Sequence, residues 1–181
     1  MQSKFKLVHA NAKNTGSAVD MIVRPATEQE VGYLMVSFAP QKTVAEISCG
    51  KRIMPTFNYE RKIGVKLTIF EVAQIVGVLD GHQESLEDGK GLYHKSSKGV
   101  AVIGLTHKVE PAVGYWFSVK RNPNESDEQK VGIFLSPVEG RTLSIILKQA
   151  MFYMGFGLPH SWPISFTETK PPTEKKDLLL Q

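Results

Sequence analysis

Three stretches of this chain set aromatic rings beside cations: Phe57, Tyr59, Arg61 and Lys62; Tyr93, His94, Lys95 and Lys98; Trp116, Lys120 and Arg121. The chemistry open to such a mixture is noncovalent. Cations track a phosphate backbone, while exposed ring faces accept stacked bases whatever their sequence. A strand Tyr or Phe ordinarily belongs to a core, so no single ring carries this reading. Its recurrence on three predicted strands does.

Covalent and metal chemistry find less support. None of His82, His94, His107 and His160 stands at metal-ligand spacing from another His or a carboxylate. Gly89-Lys90-Gly91 and Lys98-Gly99 lack the spacing of a phosphate loop with its following Ser or Thr. Asp20, Glu46, Glu71, Glu110 and Glu139 are scattered, whereas a metal-dependent nuclease needs clustered carboxylates. Cys49 is the only cysteine, has no evident partner base and forms no disulfide framework. The expectation is a protein without catalytic activity, cofactor or metal.

Positioning the rings and cations falls to a pattern that occurs twice. Ile63-Gly64-Val65-Lys66-Leu67 runs into Thr68-Ile69-Phe70-Glu71, and Val131-Gly132-Ile133-Phe134-Leu135 runs into Ser136-Pro137-Val138-Glu139. In each copy a hydroxyl caps a helix N-terminus, and the Glu three residues on reaches back to the cap's own N–H. Pro137 adds a first-turn signal. Apolar residues then recur at helical spacing: Val72, Ile75, Val76 and Leu79 in one copy, and Leu143, Ile146, Leu147, Ala150, Met151 and Met154 in the other. Helices are predicted over 68–79 and 137–155.

Strands are predicted over 17–26, 31–40, 53–59 and 63–67, then 91–95, 100–109, 115–121 and 130–135, with turn signals at Asp80-Gly81, Pro111 and Asn122-Pro123-Asn124. Four strands and a helix, twice over, make an α+β architecture. Each antiparallel sheet is expected to be covered on one face by its helix and partly open on the other. Residues 1–16, polar and rich in Asn and Lys, read as a flexible arm, and 17–165 as one domain of two repeats. Residues 166–181 have a disorder-like composition and end in Leu178-Leu179-Leu180-Gln181.

Alternation along a strand sorts the side chains onto two faces. Lys62, Gly64 and Lys66 oppose Ile63, Val65 and Leu67. Val100, Val102, Gly104, Thr106 and Lys108 oppose Ala101, Ile103, Leu105, His107 and Val109. Trp116, Ser118 and Lys120 oppose Tyr115, Phe117 and Val119.

At 181 residues and 41% hydrophobic content the chain can bury a core without disulfide staples. Lys and Arg number 22 against 18 Asp and Glu, a net charge of +4. Two acidic clusters, Glu84/Glu87/Asp88 and Glu125/Asp127/Glu128, leave the remaining segments more basic than that total. Residues 1–10 are charged and mixed, unlike a signal peptide, and the longest apolar runs fall short of a membrane span. A soluble protein of a reducing compartment is expected.

The stretch Arg61-Lys62-Ile63-Gly64-Val65-Lys66-Leu67-Thr68-Ile69-Phe70-Glu71-Val72-Ala73-Gln74-Ile75-Val76 resembles the strand-to-helix segment of the Whirly family of single-stranded-DNA-binding proteins. Phe38-Ala39-Pro40 is similar to the end of that family's second strand. Leu92-Tyr93-His94 with Lys98-Gly99, and Lys108-Val109-Glu110-Pro111, are similar to the strands that follow. The resemblance spans residues 17 to 165. It implies two antiparallel four-stranded sheets packed roughly perpendicular, each followed by a helix, with the helices assembling a homotetramer. It also implies binding of single strands along sheet edges between protomers. Guide-RNA-binding proteins of kinetoplastids and positive-cofactor coactivators share related folds. One departure stands out: the Lys-Gly-Lys-Ala-Ala of plant members corresponds here to Thr15-Gly16-Ser17-Ala18-Val19, without either lysine.

Resemblance and ring–cation pairings together give the expected ligand as single-stranded DNA, bound in replication, recombination or repair. Lys62, Lys66, Lys98, Lys108 and Lys120 are expected to contact phosphates, and Phe57, Tyr59, Tyr93 and Trp116 to stack on bases. RNA binding or annealing on the same fold is the first alternative. The second is an oligomeric scaffold that recruits replication or recombination proteins through Leu178, Leu179 and Leu180. A cytoplasmic bacterial, phage or plasmid setting is expected, or a mature organellar chain.

Overall fold

The computed structural model describes residues 4–97, 99–122 and 128–157. In chain order these form β1 (Phe5–His9), β2 (Ser17–Arg24), β3 (Tyr33–Pro40), β4 (Glu46–Ser48), β5 (Lys51–Ile53), β6 (Ile63–Leu67), α1 (Ile69–Leu79), β7 (Leu92–Ser96), β8 (Gly99–Lys108), β9 (Gly114–Asn122), β10 (Gln129–Leu135) and α2 (Pro137–Phe156). One four-stranded sheet has the order β1-β2-β3-β6, and the other has the order β10-β9-β8-β7. All pairings are antiparallel, and β4 with β5 forms a separate two-stranded ribbon.

The first sheet reaches four strands by a different route from the one expected. Residues 5–9, read as part of an arm, form β1 and pair with β2 from Phe5↔Met21 to His9↔Ser17. Phe5-Lys6-Leu7-Val8-His9 alternates in and out, with Leu7 buried and Lys6 and Val8 exposed. The strand expected over 53–59 does not join the sheet. Pro55 cannot donate to a ladder, and Phe57 makes only an isolated bridge to Gln41.

Both capping boxes form. Glu71 Oε2 accepts from the Thr68 N–H at 2.7 Å, and Glu139 Oε2 accepts from the Ser136 N–H at 2.9 Å, while each hydroxyl accepts from its Glu backbone N–H. Each capping Glu also meets a histidine from the other half of the chain. His9 at the end of β1 lies 2.6 Å from Glu139, and His94 of β7 lies 3.3 Å from Glu71. The first strand of each half thus holds the helix start of the other.

The two sheets and two helices share a single core rather than one helix serving each sheet. α1 packs against β3 and β8, and α2 against β2, β3, β9 and β10. Phe38 of β3 and Phe117 of β9, both fully buried, meet edge to face at 4.9 Å. Arg121 points inward and donates to the Gly64 carbonyl at 3.0 Å, a second link between the sheets.

Asp80, at the C-terminus of α1, would meet the negative end of the helix dipole. It is instead held by α2: Ser144 Oγ donates to it at 2.6 Å and Lys148 pairs with it at 2.7 Å. The hydrogen bond from Lys148, then that from Ser144, lower the Asp80 pKa below its ordinary 3.8 against a smaller opposing effect of burial. At Glu139 burial pushes the pKa up, but the Ser136 N–H and hydroxyl and His9 outweigh it and bring it below 4.5. A carboxyl whose pKa folding lowers contributes stability above its unfolded pKa, and that stability is lost as pH falls through the folded value. Asp80→Asn and Glu139→Gln are each expected to flatten the decline of stability on acidification below pH 4.5, as read by urea melts across that range.

Candidate nucleic-acid interface

The register of β7 to β10 arranges the outward side chains of the second sheet in rows across the strands. One row is Tyr93, Val102, Lys120 and Lys130; the next is Gly104, Ser118 and Gly132; the third is Thr106, Trp116 and Phe134. A row of rings and a row holding two lysines therefore flank a floor of small residues. Two steps of the pleat, about 13 Å, separate them. Lys108 lies one row beyond the rings, and Lys95 one row beyond the lysines. The opposite faces of these strands carry buried Leu92, Ala101, Ile103, Leu105, Phe117, Val119, Val131 and Ile133, so the outward assignment is fixed by the core.

Tyr93 is 69% exposed and Trp116 36%, enough for each to offer ring surface to a ligand. Gly132 determines how the indole lies. A Cβ there would come within 2.5 Å of Trp116 Cζ2 and 3.0 Å of Ser118 Cβ. Gly132→Ala is expected to push the indole off β10, and Trp116 emission, read in a Trp162→Phe background, should shift to the red.

Trp116 opens onto the first of two clefts along β10, the strand that packs against β2 and β3 of the other sheet. One, of about 350 Å³, is lined by Asn14, Thr15, Gly16, Pro40, Trp116, Lys130, Val131 and Gly132. It shares Pro40, Lys130 and Val131 with a second of about 230 Å³ that adds Arg61, Glu128 and Gln129. Arg61, from the turn before β6, thereby joins the second sheet's cations.

The first sheet's rings and cations are engaged with one another. Lys66 Nζ sits 4.0 Å from the centre of the Tyr33 ring. Tyr59 lies beside Lys6 and Lys4, at 5.2 and 5.7 Å, and both lysines pair with Asp20 at 3.8 and 2.7 Å. The Tyr59 hydroxyl, together with Asp20, raises the Lys6 pKa above its ordinary value against burial. Phe57 is half-buried and Lys62 exposed.

Of the residues expected from sequence, Tyr93, Trp116, Lys108 and Lys120 thus come together on one face, while Lys62, Lys66, Phe57 and Tyr59 belong to the first sheet's side. Lys98 and Leu178, Leu179 and Leu180 lie outside the described residues. Lys130, Gly132 and Phe134 share that face and were not among the expected residues. Their signal was the same alternation, against Val131, Ile133 and Leu135, that identified Trp116 and Lys120. Among the described residues no group of three or more His, Cys, Asp or Glu could hold a metal ion.

Two four-stranded antiparallel sheets around one core, with a helix after each, constitute a Whirly-like fold. Similar solved structures include WHY1 from Arabidopsis thaliana, at 17% identity over 85% of this chain and 88% of that one, with a TM-score of 0.60. The plant transcriptional regulator PBF-2 is similar at 15% identity over 85% of this chain and 90% of its own, with a TM-score of 0.62. WHY3 from Arabidopsis thaliana is similar at 19% identity over 83% and 89%, with a TM-score of 0.60. No protein-family model matches the sequence, and no curated protein matches it. At these identities the likeness establishes the fold, and function has to be argued from the site.

Proposed function

We propose that this protein is a non-enzymatic, largely sequence-independent single-stranded-DNA-binding protein acting in replication, recombination or repair. The observation that carries the reading is the outward face of the second sheet. It sets Tyr93, Trp116 and Phe134 among Lys95, Lys108, Lys120 and Lys130, over a floor of Gly104, Ser118 and Gly132. Rings that stack on bases and cations that neutralise phosphates supply affinity without reading sequence. Titration with a labelled oligothymidylate tests it, with matched duplex and RNA as competitors. The single strand should outcompete the duplex, and RNA competing as well as DNA would widen the ligand to both.

A homotetramer assembled through the helices belongs to the same proposal. Phe70 of α1 and Val138, Ile145, Phe152 and Phe156 of α2 are exposed, with the Phe152 and Phe156 rings in contact at 5.2 Å. Exposed apolar surface of this kind marks association. Native mass measurement with and without the oligonucleotide should give four chains; a monomer would refute the assembly.

A further inference from the structure

Lys120 and Lys130 stand directly opposite each other on β9 and β10. Like charges so placed repel across a sheet, an arrangement suited to an anion between or beside them. The anion present is the protein's own. Glu128, the residue before β10, brings Oε2 to 2.5 Å from Lys120 Nζ, and it lines the cleft shared with Arg61 and Lys130. The side chains of Lys120 and Glu128 are 45% and 46% exposed, so the pair is a weak surface contact that a competing anion can open. Among the described residues no carboxylate pairs with Lys130.

We propose that Glu128 is an internal stand-in for a nucleic-acid phosphate. In the free protein it occupies Lys120, and an incoming strand must displace it to reach that lysine. The inference rests on the nucleic-acid reading above and adds a restraint to it: the interface is held below its full affinity by a carboxylate of its own chain. Glu128 also lines the cleft with Pro40, Arg61 and Lys130, so its displacement from Lys120 frees a carboxylate at the edge of that cleft.

The test is a double-mutant cycle in the native oligomer, titrated with a labelled oligothymidylate at low salt. Glu128→Gln is expected to bind about two- to fivefold more tightly than the wild type. Lys120→Gln is expected to bind more weakly, and in that background Glu128→Gln should bring no gain. Unchanged affinity of Glu128→Gln beside a wild type that binds overturns the proposal alone. A gain of the same size in both backgrounds also overturns it, because Glu128 would then act only as a distant charge. A wild type that does not bind overturns the binding reading and this inference together.

Discussion

Alanine at Trp116 combined with glutamine at Lys120 and Lys130 is expected to weaken binding of a single-stranded oligonucleotide by about a hundredfold at moderate salt. On the proposed reading Trp116 would supply a stacking surface, worth about 1–3 kcal/mol for each base that rests on it. The two lysines would supply charge, and if each contacts one phosphate, removing both should reduce the slope of log affinity against log salt by about 1.4. All three side chains are exposed on an outward face, so the fold should survive, as a circular-dichroism melt would show. The matching change on the first sheet, Tyr59→Ala with Lys66→Gln, should leave affinity within about twofold of the wild type, since that ring and that cation already have partners. Equal losses from the triple and the double variant would mean that the second sheet has no special role.

Phe117→Ala is expected to cost about 3–5 kcal/mol of stability, read from urea unfolding. That is a large share of the roughly 5–15 kcal/mol available to a domain. The size follows from position. Phe117 is 1% exposed and Phe38 is 0% exposed, and their rings join the two sheets at the centre of the core. Removing one leaves a cavity the surrounding strands cannot close. Phe38→Ala should cost a similar amount, and the double variant should cost less than the sum by about 0.5–1.5 kcal/mol, the worth of the edge-to-face contact. Phe117 also lies between Trp116 and Ser118 on β9, so loosening the core should weaken oligonucleotide binding in the folded fraction.

What the sequence revealed, and what it withheld, follows from the range of the interactions involved. The capping boxes at Thr68/Glu71 and Ser136/Glu139 were legible because a cap and its partner lie three residues apart. The outward placement of Trp116 and Lys120 was legible because residues alternate along the middle of β8 and β9, with Ala101, Ile103 and Leu105, and Phe117 and Val119, all apolar on one side. β1 was obscured by the polar residues around it, and its pairing with β2 crosses a turn that carries no strong signal. The ribbon of β4 and β5 lies outside the core, so no hydrophobic pattern marks it, and residues 53–59 have the composition of the strand that β1 actually supplies. The contacts of the first sheet's lysines show another limit of the sequence. Alternation tells which way Lys66 points, but not that Tyr33 on a neighbouring strand will hold it. Nor does it tell that Asp20 will gather Lys4 and Lys6 beside Tyr59. The cleft that Arg61 shares with Glu128 and Lys130 is likewise a product of sheet-on-sheet packing and has no local signature.

The most direct measurement is an anisotropy titration of the wild-type chain with a labelled oligothymidylate at several salt concentrations, repeated with a duplex of the same length. Preference for the single strand is predicted, with log affinity falling linearly against log salt at about 0.7 per phosphate contacted. Equal affinity for duplex and single strand, or affinity indifferent to salt, would contradict a binding face built from stacked rings and lysines on the second sheet.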